Sequence, residues 1–264
     1  MASTTSGMGK QYADSTKLAA RARLHQEFSV GDEPWFPWVM DRLPLKPGDH
    51  VLDIGCGPAW FWAASQGHFP AGLNLTLSDL SPGMVAEATE RCKPLGFASV
   101  TGEVADVVAL PFADASFDVV VAMHMLYHVA DQGKAIAELH RVLKPGGTLA
   151  VSTNGADNLK QLYALTTTFG ADPIEPVAIS FGHDKAEALM GVQFGNVTKT
   201  VHPAGLRVTD PEVVFLALTS YPPGDGASDE QLEAFRTAIA AAFAQGNGVL
   251  EVQKDTALFV SRKD

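Results

Sequence analysis

Short apolar segments alternate with amphipathic segments through the middle of this chain, beginning at His50. The apolar segments predict strands at 51–54, 73–77, 98–100, 117–122 and 148–151, and the amphipathic segments predict helices at 58–66, 82–92 and 131–143. Strands that alternate with helices are joined by right-handed crossovers and form a parallel sheet. The continuous apolar run Val119-Val120-Val121 is typical of a strand that is buried on both faces.

The flanking segments predict further helices and two late strands. Predicted helices lie at 14–28, after Pro34, at 157–169, 211–219 and 229–245, and predicted strands lie at 197–201 and 257–261. Late strands often pair antiparallel at a sheet edge. We therefore predict an α/β fold with a Rossmann-like, mostly parallel seven-stranded sheet and helices on both faces. Residues 1–45 are predicted to form a tail and a helical lid, and 155–195 a small cap insertion within the domain 46–264.

Composition and charge exclude several classes of protein. The chain has 264 residues, 46% of them hydrophobic, and a formal net charge of -11. Because binding to phosphate backbones needs clustered Lys and Arg, this charge disfavours a nucleic-acid partner. Two cysteines do not predict a disulfide framework, and no apolar stretch reaches the length of a membrane helix. We expect a cytoplasmic protein with no membrane partner; its oligomeric state is not predicted.

A glycine turn follows the first predicted strand, in the run Asp53-Ile54-Gly55-Cys56-Gly57-Pro58. Glycine allows a tight turn and lets a ligand approach the backbone closely. The amides at the start of the next helix then face the bound group. Pro58 is predicted at the first helical position, where its missing N–H has no helical partner to lose. By itself this pattern is also compatible with a simple strand-to-helix turn.

Two acidic residues follow the second and third predicted strands. Asp79 lies 22 residues after Gly57 and can accept both ribose hydroxyls of an adenosine, and Asp106 can accept a hydrogen bond from an adenine amino group. Either residue could instead be a helix cap, but Ser81-Pro82 already predicts that cap. A dinucleotide loop would carry a third glycine where this chain has Trp60. The site therefore predicts an adenosine ligand without a pyrophosphate.

Four ordered motifs resemble one enzyme family. They are the run 53–57, Asp79, the run Leu110-Pro111-Phe112-Ala113-Asp114-Ala115-Ser116-Phe117-Asp118, and the run Arg141-Val142-Leu143-Lys144-Pro145-Gly146-Gly147. Together they resemble the class I S-adenosylmethionine-dependent methyltransferases of the ubiquinone/menaquinone-biosynthesis type and their natural-product relatives. The resemblance covers roughly 48–153 and implies S-adenosylmethionine as the cofactor. It also implies that 46–264 is the methyltransferase domain, with 155–195 on the acceptor side.

The resemblance implies a set of contacts to the methionine end of the cofactor. Gly55 and Gly57 would border this end, with Cys56 between them, and Asp53 would help to place the amino group through the loop. Tyr12 in the predicted lid is a further candidate contact, as are the lid residues Arg23 and His25. Ala59 departs from the glycine that many members of the family carry at this position.

The resemblance implies a second set of contacts to the adenosine end. Asp79, with its neighbour Leu80, would hold the ribose, and Asp106 and Val107 would hold the adenine. Met123, at the end of the fourth strand, would line the far side of the cofactor. The aromatic residues Trp35, Phe36, Trp38, Trp60, Phe61 and Trp62 are expected to divide between the core and an apolar acceptor pocket.

His124 and His128 follow the fourth predicted strand, at the sheet edge where ligands bind in open α/β folds. If this segment is helical, they share one face. Either can act as the general base towards a hydroxyl, amine or carbon acceptor, or both can support the loop. No carboxylate or cysteine spacing accompanies them, so no metal site is predicted.

The sequence therefore predicts a methyltransferase that acts on a small-molecule acceptor in a biosynthetic pathway, such as one of secondary metabolism. One alternative is a protein that binds S-adenosylmethionine without methyl transfer, such as a cyclase, a sensor or a partner subunit. Nucleic-acid and protein-glutamine methyltransferases resemble one another in a Pro-Pro-containing run after the fourth strand. This chain has Ala122-Met123-His124-Met125 there, which disfavours both classes of enzyme. A nicotinamide-dependent oxidoreductase is disfavoured by Trp60.

Overall fold

The computed structural model describes the backbone of residues 16–264 and the side chains of residues 22–264. The helices are α1 (Thr16–Phe28), α2 (Trp35–Met40), α3 (Trp60–Ala64), α4 (Pro82–Cys92), α5 (Gln132–Val142), α6 (Lys160–Leu165), α7 (Pro176–Phe181), α8 (His183–Phe194), α9 (Pro211–Thr219) and α10 (Asp229–Gln245). The strands are β1 (Ser29–Val30), β2 (His50–Ile54), β3 (Asn74–Asp79), β4 (Ser99–Val104), β5 (Phe117–Met123), β6 (Leu143–Asn154), β7 (Thr198–Val201), β8 (Gly205–Val208), β9 (Leu250–Gln253) and β10 (Thr256–Arg262). Three 3-10 helices span Lys93–Leu95, Leu126–His128 and Thr166–Phe169.

The main sheet has seven strands in the order β4-β3-β2-β5-β6-β10-β7. The strands from β4 to β6 are parallel, and β10 runs antiparallel between β6 and β7. In the centre, Val51 of β2 lies opposite Val119 of β5, and Asp53 lies opposite Val121. Successive side chains point to opposite faces of a strand, which explains why the whole apolar run of β5 is buried. The predicted mostly parallel seven-stranded α/β fold is confirmed.

Two hydrophobic cores cover the two faces of this sheet. On one face, β2 and β5 pack with α5 and α8. On the other face, the same strands pack with α2, α3 and α4. Helix α8 lies within 155–195, the segment predicted to form a cap. Because Ala186, Met190 and Phe194 of α8 are buried against the sheet, this half of the predicted cap belongs to the sheet layer instead.

A smaller unit with its own core was not predicted from the sequence. Strands β1, β8 and β9 form an antiparallel three-stranded sheet, which packs with α1, α6, α9 and α10. Its core includes Leu24 of α1, Leu162 of α6 and Phe235 of α10, all buried. Helix α1, which was predicted to be part of a lid, is thus anchored in this unit. We call it the cap unit.

The cap unit joins the main sheet at the edge where the parallel strands end. β9 passes into β10 through Lys254 and Asp255, and Thr256 pairs with Asn154 at the end of β6. Ligands of open α/β sheets bind beyond this edge. Among the described residues, no helix has both the length and the apolar character that a membrane span requires.

Candidate functional site

The loop after β2 turns through three left-handed residues: Gly55 has φ 67°, Gly57 has φ 50° and Ala59 has φ 57°. A Cβ atom at Gly55 would lie 2.6 Å from Cβ of Met125, so packing requires glycine there. A Cβ atom at Gly57 would meet no atom within 4 Å. The loop therefore borders open space at Gly57. The prediction that Pro58 is the first helical residue is wrong, because left-handed Ala59 precedes a helix that begins at Trp60.

Asp79, at the end of β3, is fixed against this loop. Its Oδ2 accepts a hydrogen bond from the N–H of Gly57 at 3.0 Å, and its Oδ1 accepts one from the N–H of Ser81 at 2.9 Å. Ser81 caps α4, since its Oγ accepts the N–H of Met84. Each carboxylate oxygen keeps a lone pair for a second donor. The structure thus brings Gly57 and Asp79 together at the rim of the open space. There the carboxylate oxygens of Asp79 can accept further hydrogen bonds from a ligand.

Asp53 lies beneath the loop. Its side chain is 2% exposed and accepts a hydrogen bond from Nε1 of Trp62 at 2.8 Å. Burial raises the pKa of Asp53 to about 7, although the Trp62 hydrogen bond opposes the shift. The N–H of Cys56 donates to the carbonyl of Ser78, and burial raises the pKa of its thiol, which is therefore neutral. Asp53 and Cys56 therefore stabilise the loop from its buried side.

The other residues predicted at the cofactor site differ in exposure. Leu80, beside Asp79, is 56% exposed, which is unusual for a leucine at the end of a buried strand. Asp106 is exposed and its Oδ1 accepts the N–H of Val108, whereas the side chain of Val107 is buried in the core. Met123 is half-buried. Tyr12 lies outside the described residues.

The segment after β5 does not form one helix. His124 has φ 52°, and the 3-10 helix begins two residues later at Leu126, so His124 and His128 do not share a helical face as predicted. The N–H of His124 donates to Oγ of Ser152 at 3.1 Å. Its ring centroid lies 5.6 Å from that of Trp35. The ring of His128 instead packs on Tyr127.

His124 belongs to a group of polar side chains between the main sheet and the cap unit. We call it the Lys254 cluster; it consists of His25, Trp35, His124, His202 and Lys254. Trp35 packs against His202 as well, with ring centroids 5.3 Å apart. Nδ1 of His25, Nε1 of Trp35 and Nδ1 of His202 are buried, and none has a hydrogen-bond partner within the part of the chain that the structure describes.

Lys254 supplies the charge of this cluster. Its ammonium is largely buried, and burial lowers its pKa to about 8. Burial together with the charge of Lys254 lowers the pKa of His124 to about 4, and burial, Lys254 and His124 lower that of His25 to about 3. Burial also lowers the pKa of His202, with a further contribution from Lys254. At neutral pH the cluster therefore consists of uncharged histidines around one ammonium group.

Sequence reasoning found His25 and His124 but missed Lys254 and His202. Lys254 and His124 are 130 residues apart in the sequence, and the cap unit brings them together. The one available signal was a lysine between two apolar strands, in the run Leu250 to Phe259. Within residues 22–264, no group of three or more His, Cys, Asp or Glu side chains is placed to hold a metal ion.

Glu175 is a second buried acid that was not singled out. Its Oε1 and Oε2 accept hydrogen bonds from Nδ2 of Asn154 and Nδ2 of Asn158, each at 2.8 Å. Burial raises the pKa of Glu175 to about 7, against the effect of these donors. Because Asn154 ends β6, this network fixes the segment after β6 to the main sheet.

Comparisons with known proteins identify the middle of the chain. A protein-family profile described as a methyltransferase domain matches residues 52–151. A malonyl-[acyl-carrier protein] O-methyltransferase of Erwinia billingiae is 40% identical over 123 residues, which are 45% of this chain and 44% of that protein. The chain thus matches less than half the length of this relative.

Solved structures share the fold over most of the chain. One is described as a methyltransferase from an antibiotic biosynthesis pathway of Anabaena variabilis; it has a TM-score of 0.65 and 17% identity, and the match covers 86% of this chain and 95% of that one. Another is a [4+2]-cyclase, with a TM-score of 0.59 and 19% identity, matched over 99% of this chain and 97% of that one. At these identities the likeness is one of fold.

The matched region contains the run 53–57, Asp79, the run 110–118 and the run 141–147, which are the motifs that carried the resemblance in the sequence. The predicted resemblance to a methyltransferase family, with S-adenosylmethionine as the cofactor that it implies, is confirmed for this domain. Residues 52–151 therefore match the methyltransferase domain family, and the chain shares its fold with a solved methyltransferase structure.

Proposed function

We propose that the whole protein transfers a methyl group from S-adenosylmethionine to a small-molecule acceptor. The observation that carries this proposal is the hydrogen bond between Gly57 and Asp79 at the rim of open space. A fixed carboxylate beside a glycine turn suits the ribose of an adenosine, and Trp60 stands where a dinucleotide loop carries the third glycine. The relatives support a biosynthetic role, since one is named for a malonyl-carrier substrate and one for an antibiotic pathway.

The residues at the loop fit this cofactor. Asp79 would accept the ribose hydroxyls, and the exposed Leu80 would be covered by the adenosine. Asp106 and Val107 would lie at the adenine, with contact from Val107 through its backbone because its side chain is buried. Gly55, Cys56 and Gly57 would border the methionine moiety above Asp53. Met123 and Tyr12 complete the proposed cofactor site. The bound cofactor would supply a methyl group on a sulfonium centre.

His124 and His128 stay the candidates for a catalytic role at the acceptor. His124 is uncharged at neutral pH and lies next to the glycine loop through its neighbour Met125. However, a base with a pKa of about 4 is poorly matched to a hydroxyl or ammonium acceptor at neutral pH. We therefore favour a positioning role for His124. His128 packs on Tyr127 further along the same loop, where it would support the acceptor side.

The alternative is a protein that binds S-adenosylmethionine but transfers no methyl group. It is favoured by the fold shared with a [4+2]-cyclase over nearly the whole chain. Fold does not decide between the two functions, since the same cofactor loop serves both. The discriminating quantity is the amount of S-adenosylhomocysteine that is formed for each molecule of product.

The experiment is incubation with methyl-labelled S-adenosylmethionine and a panel of carboxylic acids, phenols and amines, followed by mass spectrometry. Methyl transfer predicts labelled product and S-adenosylhomocysteine in equal amounts. The Gly57→Val variant, whose side chain would enter the open space, should form neither. Conversion of a substrate without S-adenosylhomocysteine, by protein that binds the cofactor, would replace the proposal by the alternative.

A further inference from the structure

The Lys254 cluster lies beside the proposed cofactor loop. His124 directly follows β5, and its neighbour Met125 packs against Gly55. Lys254 stands two residues before Thr256, which pairs with Asn154 at the end of β6. Both side chains therefore lie at the edge of the sheet where the central parallel strands end, on the side that the cap unit covers. This is where an acceptor has to lie to reach a methyl group held by the glycine loop.

The cluster has donors and a cation but no anion. Among residues 22–264, the ammonium of Lys254 takes part in no ion pair and no hydrogen bond. The carboxylate of Glu33, close to His202, lies 3.7 Å from Arg42 and is paired there. An ammonium that is removed from water without a counter-ion destabilises a folded protein.

Three further atoms of the cluster are short of partners. Nδ1 of His25, Nε1 of Trp35 and Nδ1 of His202 are all buried and unbonded within the described part of the chain. The indole N–H of Trp35 is a donor, and uncharged His25 can donate from Nδ1. Nε2 of His202 already donates to the backbone carbonyl of Glu33 at 3.0 Å, so Nδ1 of His202 is an acceptor. Buried polar atoms in native structures generally have a partner, so the unbonded donors of Trp35 and His25 beside one cation indicate a ligand with oxygen atoms.

We propose that the Lys254 cluster is the acceptor site and that it takes a small, flat molecule carrying an anionic oxygen, a carboxylate or an ionised phenol, which Lys254 binds and which receives the methyl group. This inference rests on the proposed function. The indole of Trp35, which is stacked on Trp38 at 5.5 Å, provides an apolar wall for the flat part of the molecule.

The chemistry balances without a strong base. A lone pair of the anionic oxygen forms the bond to the methyl carbon, and the carbon–sulfur bond breaks with its electron pair left on sulfur. No proton has to leave the acceptor during the transfer, which agrees with the uncharged state of His25, His124 and His202. The product is a neutral ester or ether, so it no longer attracts Lys254 and its release is favoured.

The test uses 4-nitrophenol as a probe, because its ionised and neutral forms absorb at different wavelengths. Protein saturated with S-adenosylhomocysteine is titrated with the probe across neutral pH, so no transfer takes place. In the wild type we expect the bound probe to be ionised at a pH where the free probe is mostly neutral. Lys254→Met should weaken probe binding at least ten-fold and abolish this spectral shift, whereas Lys254→Arg should keep the shift.

Lys93→Met is the matched control, since Lys93 is exposed and pairs with Glu90 far from the cap unit. It should leave both probe binding and the spectral shift unchanged. If Lys254→Met binds the ionised probe with the same affinity and the same spectral shift as the wild type, the inference is overturned. It is also overturned if the wild type binds only the neutral probe. Calorimetry of S-adenosylhomocysteine on the same samples separates the two claims, because absence of that binding in the wild type counts against the proposed function.

Discussion

Replacement of Lys254 by methionine should make the protein more stable. Methionine has nearly the same apolar length as the lysine stem but carries no charge. In the wild type, burial lowers the pKa of Lys254 from 10.5 to about 8. Each pKa unit corresponds to about 1.36 kcal/mol of preference for the uncharged form, so the charged lysine costs about 3 kcal/mol at pH 7. The variant removes this cost.

The pH dependence has a definite sign. Because the folded pKa of Lys254 lies below its unfolded value, the cost is fully present below pH 8 and disappears as the pH rises towards 10.5. The stability gap between Lys254→Met and the wild type should therefore fall from about 3 kcal/mol at pH 7 to about 2 kcal/mol at pH 9. For a chain of this size, the gap at pH 7 corresponds to a rise in Tm of roughly 6–12 °C.

Urea denaturation followed by circular dichroism at pH 7 and pH 9 measures this gap. Lys93→Met serves as the control, because Lys93 is exposed and its removal should change the free energy of unfolding by less than about 0.5 kcal/mol. A Lys254→Met variant that is less stable than the wild type at pH 7 would show that the ammonium has a partner in the protein. A gap that does not change with pH would refute the assigned pKa.

Three further predictions concern the loop and the residues around it. Gly57→Ala should cost about 1 kcal/mol of stability, because Gly57 has a positive φ, and should weaken S-adenosylmethionine binding more than ten-fold in calorimetry. Gly67→Ala is the control, since Gly67 has φ 91° and a Cβ atom there would also meet no atom within 4 Å. It carries similar strain and should leave binding intact. The pKa of His124 is lowered from 6.5 to about 4. As the pH falls from 7 to 4, the free energy of unfolding of the wild type should therefore fall by about 3 kcal/mol relative to that of His124→Gln. A constant difference between the two proteins in urea titrations would contradict this. Trp62→Phe leaves the buried Asp53 without its hydrogen-bond donor. The free energy of unfolding should fall by about 1–3 kcal/mol at pH 8 but by less at pH 6, where the carboxyl is mostly protonated. Equal losses of stability at both pH values would argue against the raised pKa of Asp53.

The main sheet was predictable because its signals are local. The apolar run of β5 and the amphipathic pattern of α5 each define an element within about a dozen residues. The three-stranded sheet of the cap unit has no such signal. Its strand β1 has only two residues, Ser29 and Val30, and both are exposed and pair with residues more than 170 positions later. Pairing of this kind is decided by packing of the whole cap unit.

The candidate site also has one part that the sequence predicted and one part that it did not. The glycine loop and Asp79 lie within 30 residues of each other at the ends of adjacent strands, so their spacing alone predicted their proximity. Within the loop, the helix start was misplaced because Ala59 adopts a left-handed conformation, which a sequence pattern does not predict for alanine. The Lys254 cluster draws on α1, α2, the segment after β5, the residue after β7 and the β9–β10 link. No motif connects these elements.

The most direct test of the account is the titration of S-adenosylmethionine into the wild type and Asp79→Asn by calorimetry, with NADH as the control ligand. Asp114→Asn is the matched variant, since Asp114 is exposed and its only described ion pair is with Arg141. The account predicts micromolar binding of S-adenosylmethionine by the wild type and Asp114→Asn, a loss of at least ten-fold in Asp79→Asn, and no binding of NADH. Absence of S-adenosylmethionine binding by folded wild-type protein, or equal affinity in Asp79→Asn, would contradict the assignment of the glycine loop and Asp79 as the cofactor site.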